Sequence, residues 1–185
     1  MPKAVPLGTR LPVLIWGEGG CSANGIAFAN MLTQFASHSF MVIASGAPRG
    51  SGTTTSKMMT EAIDWITTKA GAGVYAAVDP TRIAAAGQSC GGLEAYDMNA
   101  NDKVSYLGIF NSGLLQNYTA ISTIKKPVFY FLGGNSDIAY QNVSVLMQHR
   151  RLLQYSVLGL ITFLRENEIT GTYPRAFRHG RETSR

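Results

Sequence analysis

The stretch Arg82-Ile83-Ala84-Ala85-Ala86-Gly87-Gln88-Ser89-Cys90-Gly91-Gly92-Leu93-Glu94-Ala95-Tyr96 joins an apolar run to a helical pattern through Gly-x-Ser-x-Gly. That is the sequence context of a nucleophile elbow, a sharp turn between a buried strand and a helix that lifts a serine above the sheet. Glycines two residues either side of Ser89 suit a reversal that forces unusual backbone angles and leaves no room for neighbouring side chains. The bland alternative is a helix that happens to open on the same five residues. A buried strand before the serine and a helix after it favour the elbow.

Outward from this point, strand and helix alternate. Pro12 to Trp16 is a short apolar run that ends in Gly17-Glu18-Gly19-Gly20, which predicts a buried strand and a glycine-rich loop. A helix is expected over about Ile26 to Ser37, a strand over Phe40 to Ala44, and a helix over Thr54 to Lys69 with its spacing carried by Met58, Ala62, Trp65 and Ile66. Beyond the elbow, Val104 to Phe110 and Pro127 to Leu132 are strands, with an irregular Asn111 to Lys126 between them that can help line a pocket. Near-continuous apolar strands at crossover spacing predict an α/β fold: a mainly parallel sheet, helices on both faces, and ligands at the carboxyl ends of the strands.

A serine hydroxyl needs a histidine to take its proton and a carboxylate to orient that histidine. In a nucleophile-elbow sheet the chain order is serine, acid, histidine. Asp137, in the Gly133-Gly134-Asn135-Ser136-Asp137 loop after a downstream strand, stands where the acid should be; a plain turn aspartate is the alternative. The tetrahedral oxyanion needs backbone N–H donors, expected from Cys90 and from the Gly19-Gly20-Cys21-Ser22 loop. Phosphate binding is the rival use of such a loop, but no P-loop Lys-Ser/Thr follows it. The only cysteines, Cys21 and Cys90, fall in the two oxyanion elements and are expected to lie close, either bridged or as two buried thiols; the bridge is expected if the protein is secreted. Their spacing offers no zinc site.

Histidine is the gap. His38 precedes the elbow, out of chain order. The candidates His149 and His179 follow Asp137, but neither lies in a loop after a recognisable last strand.

At 185 residues, 45% hydrophobic and 15% charged, the chain suits a globular domain. Its longest apolar run, Leu152 to Leu164, is 13 residues and interrupted by polar ones, short of the roughly 18 a membrane span needs, so a core or amphipathic helix is expected there. The net charge of +5 is concentrated at one end: residues 1–142 carry nine Lys/Arg against eight Asp/Glu, whereas 143–185 carry seven Arg and three Glu. With no aromatic interleaving or binding module, that basicity predicts a solvated tail and no nucleic-acid partner. The division expected is a core over 1–142 and an atypical Arg-rich tail over 143–185. No secretion signal is recognisable, which predicts a cytoplasmic chain as written and a secreted one if the N-terminus is truncated.

From Leu11 to about Asn142 the sequence resembles the fungal α/β-hydrolase group related to dienelactone hydrolases and small secreted esterases. The residues that carry the likeness are Pro12 to Ser22, Val42 to Pro48, Thr81 to Gly92, and Gly133 to Tyr140. The resemblance implies an α/β-hydrolase fold, with Ser89 as nucleophile, Asp137 as acid, and Gly20, Cys21 and Cys90 around the oxyanion hole. It implies no cofactor, and a small-molecule or polymeric ester as substrate. In that group the histidine lies in a segment like His-x-Gly-Thr-Tyr. Here the match is Ile169-Thr170-Gly171-Thr172-Tyr173, with isoleucine in the histidine's place. The group's first strands and closing segment are not recognisable either, so a fold incomplete at both ends, an exposed sheet edge and poor solubility are expected. A tail from a retained intron, frameshift or faulty gene model accounts for the break after 142. The function expected is a serine-dependent carboxylic-ester hydrolase, and the alternative is an impaired fragment lacking the triad histidine.

Overall fold

The structure is a computed structural model and describes residues 1–114, 123–143 and, as backbone, 154–156. Six parallel strands make one sheet in the order β2-β1-β3-β4-β5-β6. They are β1 Leu11–Gly17, β2 Met41–Ala44, β3 Val78–Gln88, β4 Val104–Phe110, β5 Val128–Leu132 and β6 Gln154–Ser156. Among the described residues the helices include α1 Ala29–Ser37, α2 Ser56–Lys69 and α3 Cys90–Asp97, and residues 140–143 are helical as well. β1 and β3 are interior neighbours and pair in register from Val13↔Ile83 to Gly17↔Gly87. The predicted α/β architecture is the one observed.

Strand β1 shows why the sheet is covered on both faces. Leu11, Val13 and Ile15 enter a large core with Met59, Ile63 and Ile66 of α2 and Ala95 and Tyr96 of α3. The alternate residues Leu14 and Trp16 enter a second core with Leu32 of α1, Phe28 and Phe110. A period of two sends successive side chains to opposite faces, so a strand buried on both sides must be apolar throughout. Trp16 anchors the second core edge-on to Phe28 and Phe110, with centroids 5.4 and 5.2 Å away.

Several expected elements shift. The segment 26–28 is a turn, and α1 starts at Ala29. Helix α2 starts at Ser56, and its buried stripe is Met59, Ile63 and Ile66; Met58 and Ala62 are half-buried and Trp65 is exposed, packed edge-on against Tyr75. Of the expected stripe, Ile66 is buried in the core and Ala62 packs against it. Strand β3 begins four residues before the expected Arg82 because Val78 pairs with Leu11 ahead of a register shift, a pairing that Pro80 disguises.

Within the apolar run expected to be helical, Gln154–Ser156 is instead a strand paired in parallel with β5, Tyr130↔Gln154 to Leu132↔Ser156. An apolar run of this length fits either element by periodicity, and pairing to an open sheet edge decides for the strand. The rest of the 143–185 tail expectation, apart from Val143, and the irregular stretch 115–122 lie outside the described residues. Among the described residues no helix is long and apolar enough to cross a membrane.

Candidate active site

Ser89 follows β3 and caps α3 with φ 51° and ψ −114°, a positive-φ conformation rare for a residue with a Cβ. The neighbouring glycines make this turn sterically possible. A Cβ on Gly87 would lie 2.2 Å from the Gly91 carbonyl oxygen, and one on Gly91 would lie 2.1 Å from the Gly17 carbonyl oxygen. Backbone from β1, β3 and α3 meets here with no space for a side chain. Two further bonds hold the turn: the Ser89 N–H donates to the Phe110 carbonyl at 2.9 Å, and the Ser112 hydroxyl donates to the Ser89 carbonyl at 2.8 Å. The serine is half-buried and borders a cavity of about 160 Å³ with Leu93, Asn111, Ser112, Ile138 and Ala139.

The two glycine-rich elements converge on it. Gly19–Cys21 forms a 3-10 turn just after β1, with Gly20 at φ 64° and Cys21 at φ 46°. The Cys21 carbonyl accepts from the Thr54 N–H at 2.7 Å. Cys21 is joined to Cys90 by a disulfide with Cα atoms 5.2 Å apart. Cys90 is the first residue of α3, where a backbone N–H has no acceptor within its own helix. The bridge therefore ties the turn holding Gly20 and Cys21 to the amide that follows Ser89. Such amides suit an anionic oxygen beside Ser89.

Asp137 lies in the loop after β5, two strands from β3 at the same, carboxyl end of the sheet. Its Oδ2 accepts from the Gly133 N–H at 2.9 Å and from the Asn111 side-chain amide at 2.7 Å, and its Oδ1 accepts from the Ala139 N–H at 2.9 Å. Burial raises the Asp137 pKa, but the Gly133, Ala139 and Asn111 bonds outweigh it and hold the carboxyl below its usual range. The group is thus a fixed carboxylate next to Ile138 and Ala139, which line the Ser89 cavity.

Asn111 is the residue that sequence reasoning missed. It follows β4 at φ 44°, borders the same cavity and holds Asp137. The available signal was an asparagine just after a buried strand, a residue type that tolerates the left-handed region.

Two buried carboxylates also escaped the sequence reading. Glu18, next to the Gly19–Cys21 turn, accepts from Trp16 Nε1 at 3.3 Å, and its other oxygen has no partner. Glu94 of α3 accepts from the Thr54 hydroxyl at 2.7 Å and likewise leaves one oxygen unpaired. Burial pushes both pKa values up. The Trp16 bond opposes this for Glu18; at Glu94 the Thr54 bond opposes it and the Asp97 charge adds to it.

No described histidine joins the site. His38, the only one among the described residues, is exposed at the end of α1, where its Nδ1 lies 3.1 Å from the Gln34 carbonyl. It precedes β2, at the amino end of the strands and opposite Ser89. His149 and His179 lie outside the described residues.

No protein-family model and no curated protein matches the chain. Among solved structures it is similar to a lipase/esterase from Lactobacillus plantarum, with TM-score 0.59 and 16% identity over 84% of this chain and 80% of that one. It is also similar to a Mycobacterium tuberculosis puromycin-hydrolyzing peptidase, with TM-score 0.61 and 14% identity over 83% of this chain and 31% of that one. These likenesses establish the α/β-hydrolase fold.

Proposed function

We propose that the protein is a serine hydrolase acting on carboxylic esters through an acyl–Ser89 intermediate, within the esterase-like group its sequence resembles. The observation that carries this reading is the strained Ser89 turn, packed so tightly that Gly87 and Gly91 admit no side chain. The Ser89 φ of 51° is paired with ψ −114°, outside the regions ordinarily open to a residue with a Cβ, and such backbone outliers cluster at active sites.

In this mechanism Ser89 Oγ attacks the ester carbonyl while a base takes its proton. The Cys90 amide, with those of Gly20 and Cys21, stabilises the oxyanion, and Asp137 orients the base. Return of the proton to the alcohol oxygen releases the alcohol, and water then frees the acid. His149 and His179 are the candidate bases. The substrate in this reading is a small-molecule or polymeric ester, and the chemistry requires no cofactor. The disulfide suits an oxidising compartment, which favours a secreted protein over a cytoplasmic one.

A second reading, an impaired hydrolase lacking its base, draws on the position of His38 at the far end of the strands. Hydrolysis of p-nitrophenyl acetate and butyrate by the 185-residue chain separates the two. Turnover lost in Ser89→Ala and in one of His149→Ala or His179→Ala supports the enzyme and identifies its base. Folded protein in which Ser89→Ala changes nothing supports the impaired form.

A further inference from the structure

Leu93 stands one helical turn beyond Ser89, its N–H donating to the Ser89 carbonyl at 3.3 Å, and both residues border the same cavity. It is 38% exposed, unusual for a leucine so near a site. It also borders two cavities. One is the 160 Å³ space at Ser89; the other, of about 320 Å³, runs along α3 past Tyr96, Asp97 and Asn99 to Leu114, Thr123 and Ile124.

We propose that Leu93 is the partition that limits the enzyme to short acyl chains, and that the larger cavity is a blocked extension of the acyl site. The proposal rests on the ester-hydrolase reading above. In that reaction the Ser89 Oγ–acyl bond forms as the acyl–alkoxy bond breaks, and the serine proton passes through the base to the departing oxygen. The alcohol must therefore leave beside the base, on the side where Asp137, Ile138 and Ala139 stand. On this proposal the acyl chain takes the Leu93 side of the cavity. A space of 160 Å³ is below the roughly 300–1,000 Å³ of pockets that hold drug-sized ligands, so it suits a group of a few carbons. Cutting Leu93 back would join the two spaces and bring the acyl site into that range.

The test is the ratio of kcat/KM for p-nitrophenyl octanoate to that for the butyrate. The wild type should favour butyrate at least tenfold. Leu93→Ala should bring the ratio close to one, and Leu93→Trp should shift preference from butyrate to acetate. Octanoate turned over as readily as butyrate by the wild type, or the same chain-length profile in all three proteins, overturns the proposal while leaving the ester-hydrolase reading intact. Absence of any Ser89-dependent turnover is failure of that reading instead. The partition is then decided by equilibrium binding of sodium octanoate, which Leu93→Ala should bind at least tenfold more tightly than wild type; equal binding overturns it.

Discussion

The side-chain amide of Asn111 donates to Asp137 Oδ2 at 2.7 Å, linking the ends of two adjacent strands directly beside the Ser89 cavity. Each of the two residues ends or follows a strand whose partner fixes its height, so the carboxylate is held by the sheet rather than by its loop alone. Asn111→Ala removes one of three bonds to a partly buried carboxylate. A loss of about 1–3 kcal/mol in stability is expected, measured by urea denaturation. If Asp137 orients the base, the acid limb of the kcat/KM profile moves to higher pH and kcat falls more than KM changes. A purely structural asparagine would alter stability and leave the profile in place.

Gly91→Ala tests the packing that creates the elbow. Its Cβ would meet the Gly17 carbonyl at 2.1 Å, and both atoms belong to backbone that cannot swing aside. A loss of about 3 kcal/mol or more is expected. Gly20→Ala also meets strain, from its φ of 64°, but nothing lies within 4 Å of its Cβ, so its cost should be about 1 kcal/mol. Comparable denaturation midpoints for the two variants would contradict the tight meeting of β1, β3 and α3.

The disulfide closes a separation of 69 residues. Chain-entropy arguments give about 4 kcal/mol for a loop of that order. Double replacement Cys21→Ser/Cys90→Ser should lower stability by roughly that amount and, on the proposed mechanism, reduce kcat, because the Gly19–Cys21 turn loses its tie to the residue after Ser89. Thiol titration of the unfolded, unreduced protein should find no free thiol. Two reactive thiols would remove both the bridge and the case for an oxidising compartment.

Glu18 and Glu94 make the stability depend on pH in a direction opposite to that of Asp137. Their folded pKa values are raised above the usual 4.5, so each carboxyl keeps its proton in the fold after losing it in the unfolded chain. Stability from this source is complete below the unfolded pKa and falls as pH rises through the folded one. Asp137, held below 3.8, contributes above its unfolded pKa and loses that contribution as pH falls through its folded one. Glu94→Gln should match wild type near pH 4 and be the more stable protein at pH 8, with a flatter profile between. A Glu94→Gln profile parallel to wild type would contradict a raised carboxyl there.

What was legible in the sequence were features written in consecutive residues. The apolar run of β1, the glycine spacing about Ser89 and the turn holding Asp137 each carry their own signal, and each stands where it was expected. Features that depend on pairing or burial did not. Val78 joins β3 only because Leu11 lies opposite it, and Gln154–Ser156 becomes a strand because β5 offers a partner. The true face of α2 is one residue out of phase with the expected one, since Trp65 is large and apolar yet finds its contact at the rim with Tyr75. Glu18 sits in a glycine-rich loop, a context that carries no signal of burial, yet in the fold it is fully buried and bonded to Trp16.

The central claim is that Ser89 is a working nucleophile. Its most direct test is intact-mass and peptide mass spectrometry after incubation with a fluorophosphonate. One phosphonyl adduct is expected, on the peptide containing Ser89 and absent from Ser89→Ala. Folded protein that takes up no adduct, or takes it up elsewhere and equally in Ser89→Ala, would contradict the account.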